Sequence, residues 1–129
     1  MMQRRVVLDT NVLVSALMSP TGNPAKIYKM FLTGNLGLVY NESILSEYNE
    51  VLHRSYLHIL EEDADKVINA IKLNGEHVEP TPSTFQMNDE DDRAFYDTAK
   101  HSGAYLVTGN TRHYPKESFI LTPTEFIDL

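Results

Sequence analysis

Arg5-Val6-Val7-Leu8-Asp9-Thr10-Asn11 is the stretch that decides how this chain folds. Residues 6–8 form an apolar run without polar alternation, in a strand expected over about 5–8. Such a run reads as a strand buried on both faces, as in a parallel sheet. It ends in an acid. A carboxylate directly after a buried strand lies at the carboxyl edge of the sheet, where open α/β folds build their sites. Tyr105-Leu106-Val107-Thr108-Gly109-Asn110 repeats the pattern near the other end of the chain, again with polar groups where the strand stops.

Between these two strands the sequence alternates. Residues 19–23 read as a loop. Asn23 and Pro24 read as a cap and a first-turn proline, opening a helix through Ile27, Met30 and Phe31 that stops near Gly34. Residues 36–40 predict a second strand. Asn41 caps the next helix, with Ile44, Leu45, Tyr48, Val51 and Leu52 on one apolar face. A further helix is expected over 62–73, a strand over 77–79, and a proline-bearing loop over 80–84 that no helix crosses. Asn88 or Asp89 starts a helix reaching about Ser102 and stopped by Gly103. Strands follow over 105–108 and 119–121, with a loop over 109–115 between them, and Thr122-Pro123 opens a short last helix. Strands alternating with helices predict an α/β fold in three layers around a mostly parallel sheet. The 129 residues are expected to form one domain, 1–129, without internal repeats.

Composition narrows the function. The chain has no cysteine, which excludes disulfides and thiolate metal sites. No apolar run approaches the ~18 residues of a membrane span. Met1-Met2-Gln3-Arg4-Arg5 leads into an apolar run too brief for a signal peptide, so a cytoplasmic location and no membrane association are expected. The net charge of −7 argues against strong non-specific binding to nucleic-acid phosphates. Much of the excess acid belongs on a solvated surface. Several acids that converge, however, need a divalent cation to coexist, and that cation can bridge them to an anionic substrate.

Asp9 is the first candidate, although an Asp there also suits a turn or a helix cap. Thr10 and Asn11 either orient Asp9 through hydrogen bonds, as groups around metal ligands do, or cap a helix beginning at Val12. Asp92 closes the run Asp89-Glu90-Asp91-Asp92 at a helix start, where acids also stabilise the macrodipole. Glu47 falls at the border of the apolar helical face, beside Ile44 and Val51. Thr108 and Asn110 lie at the end of the late strand, with an ordinary turn as the alternative. Arg112, His113 and Lys116 belong either to a solvated loop or to phosphate contacts. His53, His58, His77 and His101 show no ligand spacing. No cysteine nucleophile, Gly-x-Ser-x-Gly elbow, phosphate-binding Gly-Lys-Ser/Thr loop or Gly-x-Gly-x-x-Gly motif is present. Carboxylates around a hard divalent ion can activate water and clamp phosphate oxygens, the requirements of phosphodiester hydrolysis.

Taken in order, these segments resemble the PIN-domain family of ribonucleases over nearly the whole chain. Residues 6–15 resemble the family's first motif. Ser46-Glu47-Tyr48 and Glu50-Val51-Leu52 resemble its helical acidic motif. Asp92 with Ala99 and Gly103 matches the spacing of its third, and residues 105–110 resemble its fourth. The resemblance implies a three-layer PIN-like domain and a metal-dependent endoribonuclease acting on RNA with Mg²⁺ or Mn²⁺. Asp9, Glu47 and Asp92 would be metal ligands, Asp91 a neighbour able to assist, and Thr108 a wall of the site. Family members often carry Asp where this chain has Asn110, which removes one negative charge. Length and motif layout are most similar to toxin components of toxin–antitoxin pairs, implying a cognate antitoxin and allowing a homodimer. The alternative expectation is a catalytically weak or inactive PIN-like module that binds nucleic acid or protein. A phosphatase of the haloacid dehalogenase type also places Asp after strand one, but usually has a second Asp where this chain has Asn11.

Overall fold

The computed structural model describes residues 3–84 and 86–129; Met1, Met2 and Phe85 lie outside the described residues. Five strands are β1 (Arg5–Leu8), β2 (Gly37–Tyr40), β3 (Glu76–His77), β4 (Tyr105–Val107) and β5 (Ile120–Leu121). Six α-helices are α1 (Thr10–Met18), α2 (Asn23–Leu32), α3 (Glu42–Leu52), α4 (Glu61–Asn74), α5 (Arg93–Ser102) and α6 (Pro123–Ile127). The sheet order is β3-β2-β1-β4-β5, and every neighbouring pair is parallel. This is the three-layer α/β/α architecture with a parallel sheet that the sequence predicts.

β1 is central, and its composition explains why. Val6, Val7 and Leu8 are at most 1% exposed, so the strand is covered on both faces. α5 packs on β1, β2 and β4, while α1 packs against α2 and α3 against α4. From β1 the chain builds outward to β2 and β3, then crosses back to lay β4 on the other side of β1. The carboxyl ends of β1 and β4 therefore flank the point where strand order reverses, the crevice in which sheets of this kind hold ligands.

Local chemistry sets the boundaries. Asp9 itself caps α1, so the helix begins at Thr10 and not at Val12. The expected helix over 88–102 starts as a 3-10 turn, Glu90–Asp92, with Asp89 accepting from the Asp91 amide at 2.9 Å, and becomes α-helical from Arg93. The helix ends at Gly103, whose φ of 73° is the left-handed conformation glycine adopts without strain. The strand expected over 77–79 lies one residue earlier, because α4 stops at Asn74 and Gly75 leads straight into it. A Cβ on Gly75 would lie 2.5 Å from the Ile71 carbonyl oxygen, a spacing only glycine permits.

Tyr48 ties α3 to the central strand. Fully buried, it donates its hydroxyl hydrogen to the Leu8 carbonyl at 2.5 Å, one residue before Asp9. Burial, reinforced by the charges of Asp9 and Glu47, keeps that hydroxyl protonated, with its pKa well above the usual range. Tyr48→Phe removes this donor. It is expected to cost about 1–2 kcal/mol of stability in urea denaturation; an unchanged midpoint would show that the bond contributes nothing net.

Candidate active site

The site grows from the end of β1. The Asp9 amide donates to the Val107 carbonyl at 2.9 Å, which fixes its backbone between β1 and β4. Its Oδ1 accepts weakly from the Asn11 amide at 3.4 Å. Its Oδ2 accepts two hydroxyls, Thr108 Oγ1 at 2.8 Å and Tyr114 OH at 3.1 Å. Thr108 is fully buried and Tyr114 6% exposed. The carboxylate is thus held at a set angle by groups that arrive about a hundred residues later. Burial, with the charges of Asp9 and Asp92 next, raises the Tyr114 pKa, so the phenol stays a donor.

Glu47 approaches from α3. It is partly buried, and Thr10 Oγ1 donates to its Oε2 through a short hydrogen bond. Burial raises its pKa, the Thr10 bond opposes that rise, and the charges of Asp9 and Asp91 add to it. Asp92 enters from the turn before α5. Its side chain is 15% exposed. Its Oδ2 is the buried side-chain atom that lacks a hydrogen-bond partner among the described residues. Its pKa is pushed up to about 6, first by burial and then by the charges of Asp9 and Asp89, with His113 opposing.

The structure brings Asp9, Glu47, Asp92, Thr10, Thr108 and Asn110 to one sheet edge. Asn110 Nδ2 lies 3.0 Å from His113 Nε2, and its amide donates to Thr108 Oγ1 at 3.1 Å. Asp91 is exposed beside this group, and its charge reaches Glu47. Asn11 contributes only its backbone amide. Thr10 serves Glu47 and not Asp9. Of the acidic run, Asp89 caps the 3-10 turn and Glu90 pairs with Arg93 at 2.7 Å. Tyr114 is absent from the sequence reading; its sole signal there is an aromatic residue in an otherwise polar loop. His113 lies in an exposed loop, as read from the sequence, and its Nδ1 comes within 4.0 Å of Asp92 Oδ2 at the edge of the site.

Chemically this donor set suits a hard divalent cation. The charge of Asp9 adds to burial in raising the proton affinity of Glu47 and Asp92, and Asp92 presents a buried oxygen with no donor to satisfy it. Asp9, Glu47 and Asp92, all among the described residues, do not form a group whose ligand atoms all lie within 4.8 Å of one another. Among the described residues, the ligand atoms that come within 4.8 Å of one another belong to His53, Glu61 and Asp65, all exposed. That trio has no buried oxygen and no confining wall. It forms a solvated ion-pair cluster in which His53 Nε2 sits 3.1 Å from Asp65 Oδ1.

A parallel sheet with an acidic crevice at its switch point is an α/β domain with a ligand site at the strands' carboxyl ends, and comparison gives its family. Residues 5–112 match the family model described as PIN domain, so the chain belongs to the PIN-domain family. PIN domains are generally nucleases that use divalent metal ions on nucleic acid. An uncharacterized protein of Methanocaldococcus jannaschii is 32% identical over 110 residues, covering 82% of this chain and 70% of that protein. No helix among the described residues is long and apolar enough to cross a membrane.

Proposed function

We propose that this protein is a divalent-metal-dependent endoribonuclease, with Asp9, Glu47 and Asp92 as its metal-binding and catalytic carboxylates. The observation that carries the reading is Asp92 Oδ2, buried and without a donor, facing the charges of Asp9 and Glu47. Bound Mg²⁺ or Mn²⁺ supplies an activated water and charge neutralisation at the scissile phosphate. The chain's own groups do the rest. Thr108 and Tyr114 hold Asp9, and Thr10 holds Glu47, so neither carboxylate has to reorganise. Asp91 assists from the rim, and Asn110 and the Asn11 amide complete the wall. Arg112 and Lys116 line a cleft of about 450 Å³ shared with Tyr114, together with Glu117 and Glu125, so the two cations there are matched by two acids.

We further read the protein as the toxin of a toxin–antitoxin pair. Supporting this is an apolar groove of about 770 Å³ lined by Leu17, Met18, Tyr28, Leu32, Leu57 and Leu60. Met18, Leu32 and Leu60 are each more than half exposed, a patch that calls for a protein partner. Native expression from the neighbouring genes is expected to yield a complex with a small antitoxin; isolation of the chain alone would count against it.

The test of the activity is direct. Single-stranded RNA is incubated with the purified protein and Mn²⁺ or Mg²⁺, with and without a chelator. Cleavage that needs the metal is expected, with complete loss on chelation. Cleavage that survives chelation would remove the divalent cation from the chemistry.

A further inference from the structure

Resting on the metal-dependent reading above, we propose that His113 is a nitrogen ligand of the cation, with Asn110 as the residue that orients it, so that the site selects Mn²⁺ or a softer transition-metal ion over Mg²⁺. The imidazole is placed for it. His113 Nδ1 lies 4.0 Å from Asp92 Oδ2, the buried oxygen without a donor. Two ligand atoms on one ion sit about 3 Å apart at metal–ligand distances near 2.1 Å, so the pair needs to close by roughly 1 Å. His113 is 59% exposed and has room to move.

The loop that carries it is anchored to the site on both sides. Before it, Asn110 donates its amide to Thr108 Oγ1, the same hydroxyl that donates to Asp9. After it, Tyr114 donates to Asp9. The 3-10 turn Thr111–His113 between them is closed by the His113 amide on the Asn110 carbonyl at 3.2 Å. The second ring nitrogen, Nε2, faces the Asn110 side-chain amide at 3.0 Å. A ligating imidazole needs a partner for its remaining N–H. Asn110 meets that need by presenting Oδ1, since an amide can turn either its oxygen or its nitrogen to the ring. An asparagine at this position therefore serves the ring and not the ion.

The donor class follows. Carboxylates alone suit Mg²⁺ and Mn²⁺, whereas an imidazole shifts preference toward transition metals. Mg²⁺ also dehydrates reluctantly and favours oxygen.

Mn²⁺ and Mg²⁺ are titrated separately into the metal-free full chain, His113→Ala and Asp9→Asn by calorimetry, and pulsed electron paramagnetic resonance of the Mn²⁺ forms reads nitrogen coupling. The parent is expected to bind Mn²⁺ more tightly than Mg²⁺ and to show a nitrogen coupling. His113→Ala is expected to lose that coupling and to bind Mn²⁺ roughly 10- to 100-fold more weakly, with a smaller change for Mg²⁺. Unchanged coupling and affinity in His113→Ala, with Mn²⁺ weakened in Asp9→Asn, would overturn the ligand role and leave the carboxylate site standing. Affinity unchanged in both variants would overturn the metal reading as well. Unchanged Mn²⁺ binding with weaker RNA binding in His113→Ala would overturn ligation and assign the ring to the substrate.

Discussion

Asp9→Asn is expected to abolish RNA cleavage, by about 10³-fold or more in rate, while the protein stays folded. A loss of that size is about 4 kcal/mol of transition-state stabilisation, within what a carboxylate-held cation supplies. The fold has little reason to fail. Turned toward Thr108 and Tyr114, the single amide oxygen keeps both of those hydrogen bonds and gives up only the weak 3.4 Å cap on the Asn11 amide, while the backbone carbonyl still accepts from Val12 to open α1. Removing the charge also relieves Asp92 and Glu47, both of which Asp9 destabilises in their ionised forms. Rates from single-turnover cleavage, with circular dichroism of the same sample, separate chemistry from folding; a folded variant that cuts like the parent would sink the assignment.

Asp92→Asn is expected to make the metal-free protein more stable while it stops cleavage. The Asp92 pKa rises from 3.8 to about 6 on folding, because burial and the charges of Asp9 and Asp89 oppose ionisation. The folded state then binds a proton more tightly than the unfolded chain, so stability falls as pH rises from about 4 to about 6. The cost is complete above about pH 6 and absent below about pH 4. Asn avoids it. The gain at pH 7.5 should be about 1–3 kcal/mol and should vanish toward pH 4. Thermal melts of parent and variant in chelator across this range would show it. A variant less stable than the parent at neutral pH would mean that Asp92 stabilises the fold through contacts and not through its charge.

The fold was legible because its signals are local. The apolar run before Asp9 and its echo before Thr108 each marked a strand, and Asn41 and Thr122-Pro123 marked helix starts that the structure retains, whereas Asn23, read as a cap, is the first residue of α2 after Gly22. Boundaries slipped where two local rules competed. Asp9 was open to capping and to site duty, and its carboxylate does both: Oδ1 accepts from the Asn11 amide at the start of α1 while Oδ2 accepts from Thr108 and Tyr114. Within the candidate site, residues at strand ends or on helical faces could be named from spacing: Asp9, Glu47, Asp92, Thr108. Their partners could not. Tyr114 reaches Asp9 across 105 positions, and Thr10 turns to Glu47 across 37. Such pairings depend on how elements pack, for which periodicity carries no signal. His113 shows the same limit: its loop reads as solvated and is exposed, but its approach to Asp92 at 4.0 Å depends on packing.

The central position of β1 has a consequence for synthesis. The strand made first is the one that must wait longest, since its neighbour β4 begins at Tyr105 and the hydroxyls that orient Asp9 lie 99 and 105 residues downstream. Pairings this distant in sequence form late and slowly. While the ribosome is still making the chain, β1 can pair with β2, but Asp9 has neither Thr108 nor Tyr114, and Asp92 has no β4 crevice to enter. The acidic crevice is therefore assembled only once nearly the whole sequence is available to fold. The order of strands in the sheet makes completion of the site a late event in folding.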